Sequence, residues 1–340
     1  MIITLRAGAP PETVASLAQG LDAAEVPFRD VTLAGRRHLV ASASWKGAPE
    51  LFRACGAAIE AVRPFATEYQ LCTRAFQPAN TVIDLGDGVV FGGTATILMA
   101  GPCAIESEDQ VMRAAEHLVR TWGIKVFRAG AFKPRTSPYA FQGAELQGLK
   151  LLDKVRRSFG VKIITEVKDE THLDVVAEYA DIVQVGTKSM YHFTLLAACG
   201  RLRKPVLLKR SFMATLKELL QAADFIMAGG NPQVILCERG IRTFEPTTRF
   251  SLDVGSAALL REISHLPLVL DPSHAVGIAS LVPPVAQSAA ALGVDGLLVE
   301  VHPNPAQARC DRDQALSFAQ FDALVPRLRA ICGAVDRTLI

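Results

Sequence analysis

The sequence has no CxxC cysteine pairs, no long apolar run and no long run of lysine and arginine, and each absence excludes a class of protein. Its seven cysteines are scattered, without CxxC pairs or a disulfide-framework spacing, which predicts a reduced, cytoplasmic protein. No apolar stretch reaches the length of a membrane span, and the N-terminus lacks the charged-then-apolar order of a secretory leader. The formal net charge is only +2 and there is no basic tail, so we expect neither a membrane nor a nucleic acid as partner.

The chain does contain ample material for a core. It has 340 residues, 50% of them hydrophobic and 21% charged, which indicates one large domain or a large domain with a small one. Residues 1–66 are interpreted as the small unit. Their predicted elements are strands Ile2–Leu5, Phe28–Leu33, His38–Ala43 and Ala58–Val62, with helices from Pro11 to about Ala24 and from Pro49 to Cys55. This βαββαβ order is typical of a ferredoxin-like fold, and the fold alone does not distinguish a regulatory domain from one that only supports oligomerisation.

Residues 67–93 are expected to connect this unit to the rest. Residues 67–80 are interpreted as a polar linker. The runs Val82–Leu85 and Val89–Phe91 flank Asp87 and Gly88, which predicts a β-hairpin.

From residue 94 to residue 340 the sequence repeats one pattern eight times: an apolar run ending in small or charged residues, then a helix-patterned segment. The runs are Thr94–Ala100, Lys125–Phe127, Lys162–Thr165, Ile182–Val185, Val206–Leu208, Val234–Leu236, Leu268–Leu270 and Gly296–Val299. A last helix is expected over Phe318–Cys332. Eight such units in about 240 residues predict a (β/α)8 TIM barrel within an α/β chain. The alternative is a doubly wound open sheet.

In such a barrel the active site lies at the C-terminal ends of the strands. The residues at those ends are polar or reactive, whereas the interior strand positions are almost all apolar. They are Cys103, Arg128, Glu166, Lys188, Lys209, Glu238, Arg239, Asp271, His274, Glu300 and His302. We therefore expect them to converge on one site.

One side of this set is cationic. The segment 125–143 holds three cations and two hydroxyls within ten residues, on a chain stiffened by prolines. The residues are Arg128, Lys133, Arg135, Thr136 and Ser137. Guanidinium and ammonium groups suit phosphate oxygens. With Lys188, Lys209 and Arg239 the set exceeds what one phosphate needs, which favours a polyanionic substrate or two phosphorylated ones.

The other side offers a thiol, an imidazole and two carboxylates, from Cys103, His274, Glu300 and Asp311. This donor set suits a divalent transition ion such as Mn, Fe, Co or Zn better than Mg. Each member alone has an ordinary explanation: a small core cysteine, or a histidine that caps a helix. Asp311, on an apparent loop, is the member that spacing supports least.

Six segments resemble 3-deoxy-D-arabino-heptulosonate 7-phosphate (DAHP) synthase, specifically its type Iβ branch with an N-terminal ferredoxin-like domain. They are Gly101-Pro-Cys103-Ala-Ile-Glu106-Ser107, Lys133-Pro-Arg135-Thr136-Ser137-Pro, Leu208-Lys209-Arg210, Cys237-Glu238-Arg239-Gly240, Asp271-Pro-Ser-His274 and Glu300-Val-His302-Pro. The resemblance spans essentially the whole chain and keeps these motifs in order. It implies the condensation of phosphoenolpyruvate with erythrose 4-phosphate and water to give DAHP and phosphate, the first step of the shikimate pathway of aromatic amino acid biosynthesis.

The resemblance also implies residue roles. The family's metal ligands fall on Cys103, His274, Glu300 and Asp311. Its phosphoenolpyruvate-binding cations match Arg128, Lys133, Lys209 and Arg239, and its erythrose phosphate site matches the motif from Lys133 to Thr136. A homotetramer is implied too, and residues 1–66 are then expected to take an aromatic amino acid as effector, to bind another end product, or to bind nothing.

One position departs from the family. Members usually have Gly-Ala-Arg after the fourth strand, where this chain has Gly186-Thr187-Lys188. Lysine keeps the charge but loses the planar fork of donors. Weaker phosphoenolpyruvate binding or a changed substrate is the expected consequence.

Proton transfers are assigned as hypotheses. Lys133, with a pKa lowered by neighbouring cations, is the candidate donor to the nascent alkoxide. Glu166 and Glu238 are candidates for handling the attacking water. Cys310, next to Asp311, is predicted to form a disulfide with Cys103 when metal is absent.

Three other functions remain open from the sequence. A sister synthase would use arabinose 5-phosphate, or a sugar of specialised metabolism, as acceptor. A Schiff-base aldolase would use Lys209. A non-catalytic sugar-phosphate sensor would use residues 1–66 as its output module, although all the metal positions needed for catalysis are present.

Overall fold

The computed structural model describes residues 1–33, 35–41, 49–64, 67–134, 137 and 139–340, with only the backbone of residues 49–51. The predicted site residues Arg135 and Thr136 lie outside this set, as does the predicted end of the third strand at Ala43. Within the described residues, no helix combines the length and apolar character needed to cross a bilayer.

The N-terminal unit has the predicted order of elements. They are β1 (Ile2–Leu5), α1 (Pro11–Ala23), β2 (Phe28–Leu33), β3 (Arg36–Ala41), α2 (Pro49–Ala54) and β4 (Ile59–Arg63). The sheet order is β2-β3-β1-β4 and every pair is antiparallel. Apolar residues of α1 spaced by three or four, Val14, Leu17 and Leu21, are buried in one cluster with Ile3 and Leu39 of the sheet. Burial of this helix face holds helix and sheet together.

The connecting segment is fixed to the barrel rather than loose. The carboxylate of Asp224 accepts hydrogen bonds from the backbone N–H groups of Leu71 at 3.1 Å and Cys72 at 2.9 Å. The predicted hairpin is present but shorter, with β5 (Ile83–Asp84) paired to β6 (Val90–Phe91). Ile83 and Phe91 are fully buried in the cluster that fills the barrel interior.

The predicted barrel is confirmed. Its eight parallel strands are β7 (Ala95–Gly101), β8 (Val126–Arg128), β9 (Lys162–Val167), β10 (Ile182–Val185), β11 (Val206–Lys209), β12 (Val234–Glu238), β13 (Leu268–Leu270) and β14 (Gly296–Glu300). Each pairs with the next, and β14 pairs with β7, which closes the sheet. A short β15 (Thr338–Leu339) adds to β7.

Helices cover the outside of the barrel. They are α3 (Glu108–Trp122), α4 (Glu145–Phe159), α5 (Leu173–Tyr179), α6 (Phe193–Cys199), α7 (Leu216–Ala228), α8 (Val254–Ile263), α9 (Pro272–Val276), α10 (Val282–Ala291) and α11 (Phe318–Ala334). Their ends follow local chemistry. Thr215 and Glu218 form the expected capping box at the start of α7, and Gly123 and Gly160 end α3 and α4 in the left-handed conformation.

The strand interiors explain where chemistry can occur. The inward-facing side chains low in the barrel are apolar, among them Ile97, Val126, Ile164 and Leu298. Alternate residues of one strand share a face. Two residues closer to the C-terminal ends, the same face carries Arg128 on β8, Glu166 on β9 and Glu300 on β14.

Candidate active site

The four expected metal ligands lie together at the C-terminal end of the barrel. One ligand atom from each of Cys103, His274, Glu300 and Asp311 lies within 4.8 Å of all the others. Cys103 follows β7, His274 is on the short helix α9, and Glu300 ends β14. Asp311 lies on the loop between β14 and α11 with φ of +51°, a left-handed conformation that aspartate tolerates better than most residues.

Cys103 is enclosed by sulfur and oxygen. Its Sγ lies 3.2 Å from Sγ of Cys310 and 3.2 Å from Oδ2 of Asp311. Burial, together with the neighbouring Cys310 and the Glu300 charge, raises the pKa of the Cys103 thiol well above its usual range. The metal-free protein therefore holds this group as a thiol.

His274 is fixed at both ring nitrogens. Nδ1 lies 2.7 Å from Oδ2 of Asp271 and Nε2 lies 2.9 Å from Oε1 of Glu300. Burial opposes the imidazolium charge, but the carboxylates of Asp271 and Glu300 outweigh it and raise the pKa of His274 to about 9. A carboxylate behind a ligating imidazole is the usual means of orienting it toward a metal.

Glu300 is held in the same way. Its Oε1 also accepts from Nη1 of Arg128 at 2.8 Å, and its Oε2 accepts from Nε2 of Gln314 at 2.6 Å. Although burial alone would raise it, the positive charges of His274 and Arg128 hold the pKa of Glu300 well below its usual range. Thiolate sulfur, imidazole nitrogen and carboxylate oxygen in one small cluster form a donor set that fits a divalent transition ion.

A cavity of about 370 Å³ opens beside this cluster. Its lining residues are Lys133, Pro134, Ser137, Ala140, Glu166, Thr187, Lys188, Lys209, Phe212, Arg239, Arg249, Phe250, His274 and Asp311. The sequence-predicted cations Lys133, Lys188, Lys209 and Arg239 thus face the same space as two of the metal-ligand candidates.

Arg239 is a cavity-lining cation, two of whose buried hydrogen-bond donors lack acceptors among the described residues. Its guanidinium lies over the ring of Phe250, 4.5 Å from the centroid, and is almost fully buried. Among the residues that the structure describes, its Nε and Nη1 have no hydrogen-bond partner. Burial lowers the pKa of Arg239. Buried donors without acceptors cost free energy, so a ligand with oxygen acceptors is the natural complement.

Arg128 occupies a different place from the other cations. Its guanidinium pairs with Glu300 and reaches within 3.4 Å of Nε2 of His274. It is not among the cavity-lining residues of the described chain. Its contacts are therefore with two of the candidate metal ligands, Glu300 and His274.

The expectation that cations lower the pKa of Lys133 is wrong. Burial does oppose the ammonium charge, but the neighbouring sulfurs of Cys103 and Cys310 and the Glu166 carboxylate outweigh it, and they raise the pKa. Lys133 is therefore a protonated group at neutral pH, able to donate a proton.

The two glutamates that were candidates for handling the attacking water, Glu166 and Glu238, lie in different surroundings. Glu166 lines the cavity. Glu238 is fully buried, where its carboxylate pairs with Nη1 of Arg210 at 2.8 Å and accepts from the backbone N–H of Gly240 at 2.6 Å. In the described part of the chain Glu238 is absent from the cavity lining.

Several site residues escaped the sequence analysis. Asp271 belonged to the ring of strand ends but received no role, although its spacing of three from His274 on α9 is the signal for their contact. Gln314, Arg249 and Phe250 lie on long loops, where no periodicity marks them. Arg249 connects two of these loops: its Nη1 lies 2.7 Å from Oε1 of Gln314.

Comparison with known proteins agrees with this geometry. Residues 80–331 match the DAHP synthetase I family. A phospho-2-dehydro-3-deoxyheptonate aldolase of Thermotoga maritima is 45% identical over 277 residues, 82% of this chain and 81% of the relative. A 2-dehydro-3-deoxyphosphooctonate aldolase of Syntrophotalea carbinolica is 33% identical over 265 residues, 73% of this chain and 95% of the relative.

A solved structure extends the similarity to both units. The crystal structure of the Thermotoga maritima phospho-2-dehydro-3-deoxyheptonate aldolase (DAHP synthase) has a TM-score of 0.80 at 38% identity, covering 100% of this chain and 99% of that one. A truncated form of the synthase from the same organism has a TM-score of 0.75 at 41% identity and covers 80% of this chain. The expected family is confirmed: this chain belongs to the DAHP synthetase I family.

Proposed function

We propose that this protein is a DAHP synthase, which condenses phosphoenolpyruvate with erythrose 4-phosphate and water to give DAHP and phosphate. The proposal rests on the positions of two groups of side chains. A thiol, imidazole and carboxylate cluster and a cationic cavity share the C-terminal end of one barrel, in a chain of this family.

We assign Cys103, His274, Glu300 and Asp311 as ligands of one divalent ion, Mn, Fe, Co or Zn. When bound, the ion supplies a Lewis acid for the aldehyde oxygen of the acceptor. The chain's own contribution is to orient the ligands. Asp271 fixes the ring of His274, and Gln314 with Arg128 fixes Glu300.

The phosphoenolpyruvate site is assigned to Arg239, Lys209 and Lys188, with Lys133 at its edge and Arg128 behind the metal ligands. The buried guanidinium donors of Arg239 support a phosphate or carboxylate there. Lys209 is held by Asp271 at 2.5 Å, so its ammonium has a fixed direction. Erythrose 4-phosphate is assigned to the loop that presents Ser137, with Arg135 and Thr136 as its predicted anion contacts.

Each step of the reaction is then assigned to particular residues. The cations hold both phosphates, which brings the methylene carbon of phosphoenolpyruvate to the aldehyde carbon. As that C–C bond forms, Lys133 donates a proton to the former aldehyde oxygen. Water adds to the enol carbon and loses a proton to Glu166. The C–O bond to phosphate in the resulting hemiketal then breaks, the hydroxyl proton passes to the departing phosphate, and the ketone that remains is DAHP. Glu238 remains a weaker candidate for the water, since Arg210 occupies its carboxylate.

Two other chemistries fit less well. An ammonium paired with a buried carboxylate is a poor amine nucleophile, so the Lys209–Asp271 ion pair disfavours a Schiff-base aldolase. Arabinose 5-phosphate as acceptor has support only in relatives such as the octonate aldolase at 33% identity.

Residues 1–66 are proposed as a regulatory or oligomerisation domain of a homotetramer, with an aromatic amino acid as effector. A cavity of about 720 Å³ lies between this unit and helices α6 and α7. Phe28 lines it from β2, and Phe193 and Phe225 line it from the barrel helices. We place the enzyme in the cytoplasm, consistent with cysteines that form no disulfide within the described residues.

The experiment is phosphate release from phosphoenolpyruvate with a panel of aldose phosphates, each with and without chelator and aromatic amino acids. Erythrose 4-phosphate should give metal-dependent release and a seven-carbon product. Equal release with arabinose 5-phosphate would indicate the sister reaction, and trapping by borohydride without metal dependence would indicate the aldolase.

A further inference from the structure

A buried glutamine lies beside Glu166 inside the barrel. Gln184 is in the middle of β10, is 1% exposed, and is the Cα partner of Glu166 in the parallel pairing of β9 with β10. Partner residues on adjacent strands project from the same face. Nε2 of Gln184 accordingly donates a hydrogen bond to Oε2 of Glu166 at 2.9 Å.

Burial of the Gln184 amide at this position costs free energy. Two residues earlier on the same strands, Ile164 and Ile182 belong to the apolar cluster of the interior. The other polar atom of the amide, Oε1 of Gln184, is buried without a hydrogen-bond partner among the described residues. An amide buried with half of its capacity unmet costs free energy, and methionine would fill similar space without that cost. Packing therefore does not account for the residue.

Gly186 leaves the space that one oxygen of the Glu166 carboxylate occupies. A Cβ at this position would lie 2.0 Å from Oε1 of Glu166. The φ of Gly186 is −71°, a value open to any residue, so the glycine matters here only because it leaves room for the Glu166 carboxylate in its present position. One carboxylate oxygen thus lies against Gly186 while the other is bound by Gln184.

Among the described residues, the Glu166 carboxylate lies near ammonium groups with which it does not pair. Lys133, Lys188 and Lys209 line the same cavity as Glu166. Even so, Glu166 forms no ion pair within the described part of the chain. A carboxylate free to rotate among ammonium groups would fold onto one of them.

We infer that Gln184 is a positioning residue: it holds the carboxylate of Glu166 away from the lysines, so that this group stays available to orient and deprotonate the water that adds to phosphoenolpyruvate. The inference rests on the proposed function, because Glu166 has that task only in a synthase of this kind. The assignment is to Gln184 acting through Glu166, with no contact to substrate of its own.

The test is a double-mutant cycle with a crystal structure. Gln184→Met removes the donor and preserves volume. It should lower kcat about ten- to hundredfold and leave both KM values within about twofold, since the cations are untouched. In a Glu166→Gln background the same change should lower kcat less than about twofold, since the carboxylate is already lost. Leu207→Met, on the neighbouring strand β11 at the level of Gln184, is the matched control and should leave kcat unchanged.

The crystal structure of the Gln184→Met protein gives a readout that needs no turnover. Its Glu166 carboxylate should leave Gly186 and pair with one of the cavity lysines. An unmoved carboxylate, an unchanged kcat, or equal losses in both backgrounds would overturn the inference. A wild-type protein that releases no phosphate with erythrose 4-phosphate would instead overturn the proposed function, and the structural comparison would still decide the role of Gln184.

Discussion

The Sγ atoms of Cys103 and Cys310 lie 3.2 Å apart, although 207 residues separate them in the chain. Cys103 follows the first barrel strand, and Cys310 lies on the loop after the eighth, two strands that pair to close the barrel. Both residues are buried. Closure of the barrel thus places Cys103, a candidate metal ligand, close to the thiol of Cys310, as expected from the sequence.

Oxidation of the metal-free protein should join these two thiols. A disulfide needs a sulfur–sulfur distance of about 2 Å, which requires only a modest approach. We expect activity to fall as a Cys103–Cys310 crosslink accumulates in peptide mass spectra, and bound metal to prevent both. Cys310→Ala should resist this inactivation. Equal inactivation of metal-loaded protein, or inactivation without the crosslink, would contradict the prediction.

Metal affinity should rise steeply with pH. The pKa of His274 is raised to about 9 and that of the Cys103 thiol is raised further, so both carry a proton at neutral pH in the metal-free protein. Binding must displace these protons, and the affinity therefore increases as pH rises toward 9. Calorimetric titration with Mn²⁺ in buffers of different ionisation enthalpy should show release of about two protons near pH 7. Release of none would show that the assigned ligands do not bind the ion.

Arg239→Met should separate activity from stability. Loss of a buried, charge-assisted contact to substrate oxygens should lower kcat/KM for phosphoenolpyruvate by about a hundredfold or more. The melting temperature should hold or rise, because two buried donors without partners are removed. Arg242→Met, at an exposed position outside the lining of the cavity beside Arg239 as the described residues define it, serves as control. A large fall in melting temperature would mean that Arg239 is structural.

Lys188→Arg should strengthen phosphoenolpyruvate binding. Lys188 lines the cavity, and its Nζ donates to the carbonyl of Pro134 at 3.2 Å. A guanidinium can keep one such bond and still present two donors to a phosphate. We expect KM for phosphoenolpyruvate to fall about three- to tenfold at similar kcat, against a rise for Lys188→Met. An unchanged KM in both variants would remove Lys188 from the substrate site.

The architecture was accessible from the sequence because it rests on local patterns. The run Ile182–Val185 is apolar except for Gln184 and lies between Asp181 and Gly186, and it is a barrel strand with those limits. Other strands extend one or two residues beyond the apolar run. The strand β12, for example, extends to Glu238, whose carboxylate the barrel buries in an ion pair with Arg210. Periodicity does not register polar residues whose cost is offset by a partner on a distant segment.

The site was accessible only in part. The end of β14 identified Glu300, and the position after β7 identified Cys103. The pairing of Arg128 with Glu300, the role of Gln314 and the orientation of Glu238 depend on which side chains meet across the barrel. Such pairings follow from closure of the whole sheet, which no short stretch of sequence encodes. The predicted direction of the Lys133 pKa shift was wrong for the same reason: the groups that raise it, Cys103, Cys310 and Glu166, lie on separate segments of the chain.

The central claim is that one thiol, one imidazole and two carboxylates at the barrel rim hold the ion that the condensation requires. The most direct measurement is an anomalous difference map from a crystal loaded with Mn²⁺. The account predicts one strong peak within about 2.5 Å of Sγ of Cys103, Nε2 of His274 and carboxylate oxygens of Glu300 and Asp311. A fully occupied peak elsewhere, with these four residues unliganded, would contradict it.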